Sequence, residues 1–113
     1  MIYALVNIGM SILIGIIFIL AALILRKNPP TDINAVYGYR TKRSMKNKDL
    51  WNAGNRYSAE VMKQNGVFMI LVGSAIGLLF KYTHTTIAIL SLMIILIIHM
   101  FVKVEKKLKT LEK

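Results

Sequence analysis

Cysteine is absent from this 113-residue chain, so disulfides and thiolate chemistry are excluded. Acids are scarce: five Asp and Glu stand against fifteen Lys and Arg, a formal charge of +10. Of the two histidines, His84 falls in a short connector and His99 near the far end of the apolar run that follows. On opposite sides of a membrane they could not share a metal ion. Asp32, Asp49 and Glu60 follow no metal-ligand spacing and read as partners for nearby Lys and Arg. No catalytic set, metal or cofactor is expected. No Asp, Glu, Lys or Arg stands in the middle of an apolar run. That argues against a small ion-coupled exporter, which depends on such a group inside the membrane.

Apolar residues make up 56% of the chain, and the mean hydropathy is +0.56. A soluble domain this small has too much surface to hide that share. The expected fold is therefore an all-α integral membrane protein, one membrane domain over residues 1–113. Three spans are predicted, near residues 2–25, 64–80 and 84–102. The first lacks the positive n-region and cleavage site of a signal peptide and reads as a retained span. The second is short in its apolar core, Val67–Phe80, and is interrupted by Asn65 and Gly66. The connector Lys81–Thr86 suits a helical hairpin.

Charge predicts the orientation. The segment 26–63 holds nine basic and three acidic residues, and the tail 103–113 five and two. Two spans separate them, so both lie on one side, and the positive-inside rule makes that side cytoplasmic. The N-terminus then faces outward. The basic residues serve to attract anionic lipid headgroups; no motif for reading bases is present, and nucleic acid is not an expected partner.

Within the segment, Asn28-Pro29-Pro30 stops the first helix. From Asn47, a candidate N-cap, an amphipathic helix is predicted. Leu50, Trp51, Gly54, Tyr57, Ser58, Val61 and Met62 share one face, and Lys48, Asp49, Asn52, Arg56, Glu60 and Lys63 the other. It either lies flat at the headgroups, with Trp51 and Tyr57 in the interface, or runs straight into the second span. Gly73 and Gly77, four apart, form a small-residue helix-packing face, used either within the chain or in a homo-oligomer.

Charge does not account for one stretch. "INAVYGYRTKRSMKNKDLWNAGN", Ile33–Asn55, contains an Asn, then Tyr-Gly-Tyr-Arg-Thr, Ser-Met-Lys-Asn, a Trp and an Asn. This order resembles the signature of the SdpI family of bacterial integral membrane proteins. The matching positions are Asn34, Tyr37, Gly38, Tyr39, Arg40, Thr41, Ser44, Met45, Lys46, Asn47, Trp51 and Asn55.

The family is named for an immunity protein that protects a producing cell from its own secreted killing peptide. That namesake also holds a transcriptional repressor at the membrane, and its chain is longer, with more spans. The resemblance therefore implies a membrane immunity-type protein with a toxin peptide as partner, and a signalling role through the segment. The peptide would meet the Gly73/Gly77 face or the turn Tyr82–Thr86. Two other readings remain at this point. One is a lipid-binding or lipid-modifying protein, with Arg40, Arg43 and Lys46 clamping a phosphate that Asn34, Tyr39 and Asn55 orient. The other is an accessory transporter subunit. The motif itself is either a binding site or structural, with Arg40 hydrogen-bonding carbonyls left free where the first helix ends.

Overall fold

The computed structural model describes residues 2–112. Met1 and Lys113, the outermost residues of the first apolar run and of the basic tail, lie outside the described residues. Every regular element described is helical: α1 (Ile2–Lys27), α2 (Lys48–Phe68), a π-helical turn (Met69–Gly73), α3 (Ser74–Leu79) and α4 (Thr85–Leu111). Helices close their own backbone hydrogen bonds, which the interior of a bilayer requires.

Of the two courses open to the helix that starts after Asn47, the structure shows the second: it runs straight into the second span. Lys48–Leu79 is one continuous rod through the π turn, long and apolar enough to span, as are α1 and α4. At 1.5 Å per residue, its 32 residues reach roughly 48 Å, well beyond the ~30 Å hydrocarbon core. Asn65 and Gly66 do not break it, because both face protein rather than lipid. Asn65 is buried and donates from Nδ2 to the Leu96 carbonyl of α4 at 2.9 Å. Gly66 lies against Gly15 of α1. A Cβ on Gly66 would stand 2.7 Å from the Gly15 carbonyl oxygen, and one on Gly15 would stand 2.6 Å from that of Gly66. The two backbones therefore touch, which only paired glycines permit.

This crossing continues along α1 as a stripe of small and polar residues, Asn7, Ser11 and Gly15, all buried and four apart. Across from them stand Gly77, Gly73 and Gly66. A Cβ at Gly73 would reach Ser11 Oγ at 2.5 Å, and one at Gly77 would meet the Ile8 backbone nitrogen at 3.2 Å. The Gly73/Gly77 face thus packs within the chain. It is covered by α1 and is not open to a second copy or to a peptide. A π turn adds a residue to the helical cycle, re-phasing the helix that follows it. Thr86 at the start of α4 donates to Asn7 Oδ1 at 2.7 Å, tying that end of α4 to α1. Interhelical bonds of this kind contribute about 0.6–2 kcal/mol each.

α2 is the central helix, with α1 and α4 on its flanks and touching each other only lightly. The outward faces carry large apolar side chains, among them Leu5, Leu13, Ile17, Leu20, Leu71, Ile87, Ile94 and Ile98. An apolar surface of that extent needs lipid against it.

The region past residue 102, expected as a tail, continues α4 to Leu111. Val104 and Leu108 extend its apolar stripe and are fully buried. They pack with Leu50 and Val61 of α2 and with Tyr39 in a second core beyond the spans. The apolar face of the first half of α2 therefore covers α4 and the motif loop, not headgroups. Its charged face, Lys48, Asp49, Asn52, Arg56, Glu60 and Lys63, is exposed.

Candidate functional site

The chain from Asn28 to Asn47 has no helix or strand of its own, so its polar groups need partners elsewhere. The motif side chains provide many of them. Asn34 Oδ1 accepts from the Val36 and Tyr37 nitrogens at 2.9 and 2.7 Å, and Asn34 Nδ2 donates to the Asp32 carbonyl at 3.0 Å. This local ring makes the turn that Asn favours. The Tyr37 hydroxyl donates to the Asn28 carbonyl at 2.7 Å and lies 3.3 Å from that of Ile24. The Ile24 carbonyl already accepts from the Asn28 nitrogen at 2.9 Å, so the one Tyr37 relieves is that of Asn28, just past the end of α1. Tyr37, not Arg40, is thus the cap of the first helix.

Gly38 has φ +107°, a conformation that costs most side chains strain. Its missing Cβ also leaves room for Asn55 and Pro30; a Cβ there would collide with Asn55 Oδ1 and approach Pro30 Cγ to 2.8 Å. Asn55 fits into that gap. Its Oδ1 accepts from the Tyr39 nitrogen at 2.6 Å, and its Nδ2 donates to the Trp51 carbonyl at 2.8 Å. Trp51 is fully buried, and its Nε1 donates to the Pro30 carbonyl at 2.9 Å. The indole expected in the headgroup layer is therefore a core residue, drawn inward by the carbonyl that Pro30 leaves free.

Tyr39 is the hinge pin of the loop. Its ring is buried over Gly54 and lies 5.5 Å from that of Phe101. Its hydroxyl donates to Glu105 Oε2 of α4 at 2.7 Å. Thr41 Oγ1 donates to the same oxygen at 2.9 Å, and Arg43 reaches Oε1 at 3.2 Å. Three donors from the loop therefore converge on one carboxylate. Burial, and then the Glu105 carboxylate beside it, push the Tyr39 phenol far above its ordinary pKa, so it remains a hydrogen-bond donor.

Thr41 and Ser44 bond reciprocally, with the Thr41 nitrogen to Ser44 Oγ at 2.8 Å and the Ser44 nitrogen to Thr41 Oγ1 at 3.1 Å. Ser44 Oγ is also 3.1 Å from the Tyr39 carbonyl, and the side chain is buried. Asn47 caps α2 by accepting from the Leu50 nitrogen at 2.9 Å. Met45 stands partly exposed.

Lys46 and Arg43 pair with Glu112 near the end of α4 at 2.8 and 3.4 Å. The Arg43 Nε contact has ion-pair distance without hydrogen-bond alignment. The hydrogen bond from Lys46, chiefly, holds the Glu112 carboxyl below its ordinary pKa. This pair stabilises the fold above the usual carboxylate pKa, and its contribution is lost as pH falls through the lowered value. Exposure keeps it small.

The phosphate clamp expected of Arg40, Arg43 and Lys46 is therefore not assembled. Arg43 and Lys46 are neutralised by acids of α4, while Asn34, Tyr39 and Asn55 bond the backbone and Glu105. Arg40 differs from its neighbours. It donates to the Ala35 carbonyl, and among the described residues no carboxylate lies within ion-pair distance of it.

Beside Arg40 opens a cavity of about 500 Å³. Its roof is Tyr37–Arg40. Its walls are Ile17, Phe18, Ala21 and Leu25 of α1, Ser58, Met62 and Asn65 of α2, and Ile97, Met100 and Phe101 of α4.

The architecture can now be set against known proteins. The sequence pattern of the SdpI/YfhL protein family matches residues 31–103, from the turn before Asn34 through all of α2 and α3 and most of α4. The chain belongs to the SdpI/YfhL family. The SdpI/YfhL chain is a multi-pass membrane protein with three spanning helices. It is 39% identical over 95 residues to the uncharacterized protein YfhL of Bacillus subtilis (strain 168), covering 84% of this chain and 82% of that one. No solved structure matches it.

Sequence reasoning missed Glu105 and Glu112, which hold the SdpI/YfhL motif in place. Both had been counted only as charges in a tail. The available signal was an acid next to Val104 in an otherwise basic stretch that keeps a helical apolar period. The Asn7/Ser11/Gly15 stripe of α1 was missed as well, because an uncharged span hides its polar face among apolar neighbours.

Proposed function

We propose that this protein is an immunity-type protein of the bacterial cell membrane, protecting its cell against a secreted membrane-active peptide. Membership of the SdpI/YfhL family across residues 31–103 carries this reading. Its motif end lies in the cytoplasm and its N-terminus outside, as the excess of Lys and Arg in 26–63 and 103–113 favours.

The latch geometry supports a division of labour. Most motif side chains are engaged in fixing the ends of α1, α2 and α4 to one another. What the protein offers to a peptide in the bilayer is its rigid apolar flank and the outer turn, where the Tyr82 and His84 rings stack at 5.2 Å. A peptide bound along that flank is kept from assembling with its own copies. A signalling role would act through the same latch, whose ends meet at Glu105.

Survival of a peptide-sensitive bacterium expressing the chain tests the reading. Survival is expected to rise with expression, and Gly38→Val, which cannot form the loop, is expected to lose the protection. Unchanged killing by every cognate candidate peptide would overturn it.

A further inference from the structure

The cavity under Arg40 has a position, a size and a charge that together specify an occupant. Its α1 wall begins at Leu25, one residue inside the Arg26-Lys27 pair that marks the headgroup layer. It extends to Ile17, eight residues and about 12 Å deeper into the hydrocarbon zone. The lining is apolar apart from a few groups. Of these, Ser58 Oγ donates to the Asn55 carbonyl at 3.1 Å and Asn65 Nδ2 to that of Leu96 at 2.9 Å, so both are held by the protein's own backbone.

Size excludes a peptide helix. A helix about 10 Å wide would fill 500 Å³ within roughly 6 Å of its length, about one turn. A single extended hydrocarbon chain is narrower and suits a cleft of this volume and depth, which lies in the usual range for small-ligand sites.

Charge fixes the other end. Among the described residues, Arg40 is the only charged one in the lining, and no acid lines the cavity. Its guanidinium keeps most of its N–H donors unengaged by protein, because the one hydrogen bond goes to the Ala35 carbonyl. A planar fork of this kind pairs with phosphate in bidentate fashion.

We propose that this cavity is a lipid site: it holds one acyl chain of an anionic membrane phospholipid, with the headgroup phosphate on Arg40. The lipid then fills the light contact between α1 and α4 and seats the motif loop against the bilayer. This goes beyond the immunity reading and does not depend on it, since a chain without bound lipid could still protect a cell.

The test uses the full chain purified in mild detergent and titrated with dioleoylphosphatidylglycerol or dioleoylphosphatidylcholine, with retained lipid counted by native mass spectrometry. One phosphatidylglycerol per chain is expected to be retained, in preference to phosphatidylcholine. Arg40→Ala is expected to weaken that retention about tenfold or more, the loss typical of a charge-assisted pair. Ala21→Phe, which fills the cavity from α1, is expected to abolish retention with Arg40 intact. Circular dichroism melts of both variants separate lost binding from lost folding. Equal retention of the two lipids overturns the proposal. So does a loss on Arg43→Ala that matches the loss on Arg40→Ala, which would mean diffuse surface charge. Displacement of the phospholipid by glycerol phosphate alone would mean that a headgroup site exists without the acyl chain, and would also overturn it.

Discussion

Trp51→Ala is expected to destabilise the protein by about 3–5 kcal/mol, the usual cost of deleting a large buried aromatic. The indole is fully buried where the end of α1, the motif loop and α2 meet. Its removal opens a void there and leaves the Pro30 carbonyl without its donor at 2.9 Å. Trp51→Phe keeps most of the volume but leaves the Pro30 carbonyl unpaired, so a smaller loss of about 1–3 kcal/mol is expected. Denaturant titration in detergent, read by circular dichroism, measures both. Had the side chain been an interfacial anchor, Trp51→Phe and Trp51→Ala would both be mild, and both would depend on the detergent.

Glu105→Ala is expected to cost about 1.5–3 kcal/mol, the range for hydrogen bonds to a charged group. The carboxylate receives Tyr39, Thr41 and Arg43, and its loss strands a phenol buried against Phe101. Tyr39 cannot ionise to compensate, because burial already holds its pKa far up. Glu105→Gln retains an acceptor for Tyr39 but turns an amide toward Arg43, so an intermediate loss is expected. The accompanying signature is faster proteolysis in the loop 28–47, since Glu105 receives three of the side chains that tie that loop to α4. Unchanged stability and unchanged proteolysis in Glu105→Ala would mean that the three hydrogen bonds are incidental.

The spans were legible from the sequence because their signal is local: uncharged apolar runs of sufficient length, punctuated by Pro29-Pro30 and by Lys81. The Asn47 cap was legible for the same reason. Its pattern occupies four consecutive residues. The continuity of α2 was one of two courses that sequence left open. Asn65-Gly66 cannot decide between them until Gly15 and the Leu96 carbonyl are seen to lie opposite. The tail of α4 was hidden similarly, since Val104 and Leu108 mean little until Leu50 and Tyr39 are seen to cover them.

The motif posed the harder question. Sequence left Tyr37–Thr41 open between a binding site and a structural element. The geometry divides it. Tyr37, Gly38, Tyr39 and Thr41 hold the fold, each through a partner distant in sequence or through backbone conformation. Arg40, in their midst, carries a charge the fold does not use.

That division is the central claim, and a paired unfolding measurement tests it most directly. Asn55→Ala and Arg40→Ala are compared by thermal melts in the same detergent. Asn55 is buried and bridges the Tyr39 nitrogen to the Trp51 carbonyl. Its loss leaves a buried N–H unpaired and is expected to cost about 1–3 kcal/mol. Arg40 is exposed and holds only one carbonyl, so its loss is expected to stay within about 0.5 kcal/mol. The account predicts a clearly lowered melting temperature for Asn55→Ala and a nearly unchanged one for Arg40→Ala. A reversed order, or equal losses, would contradict it.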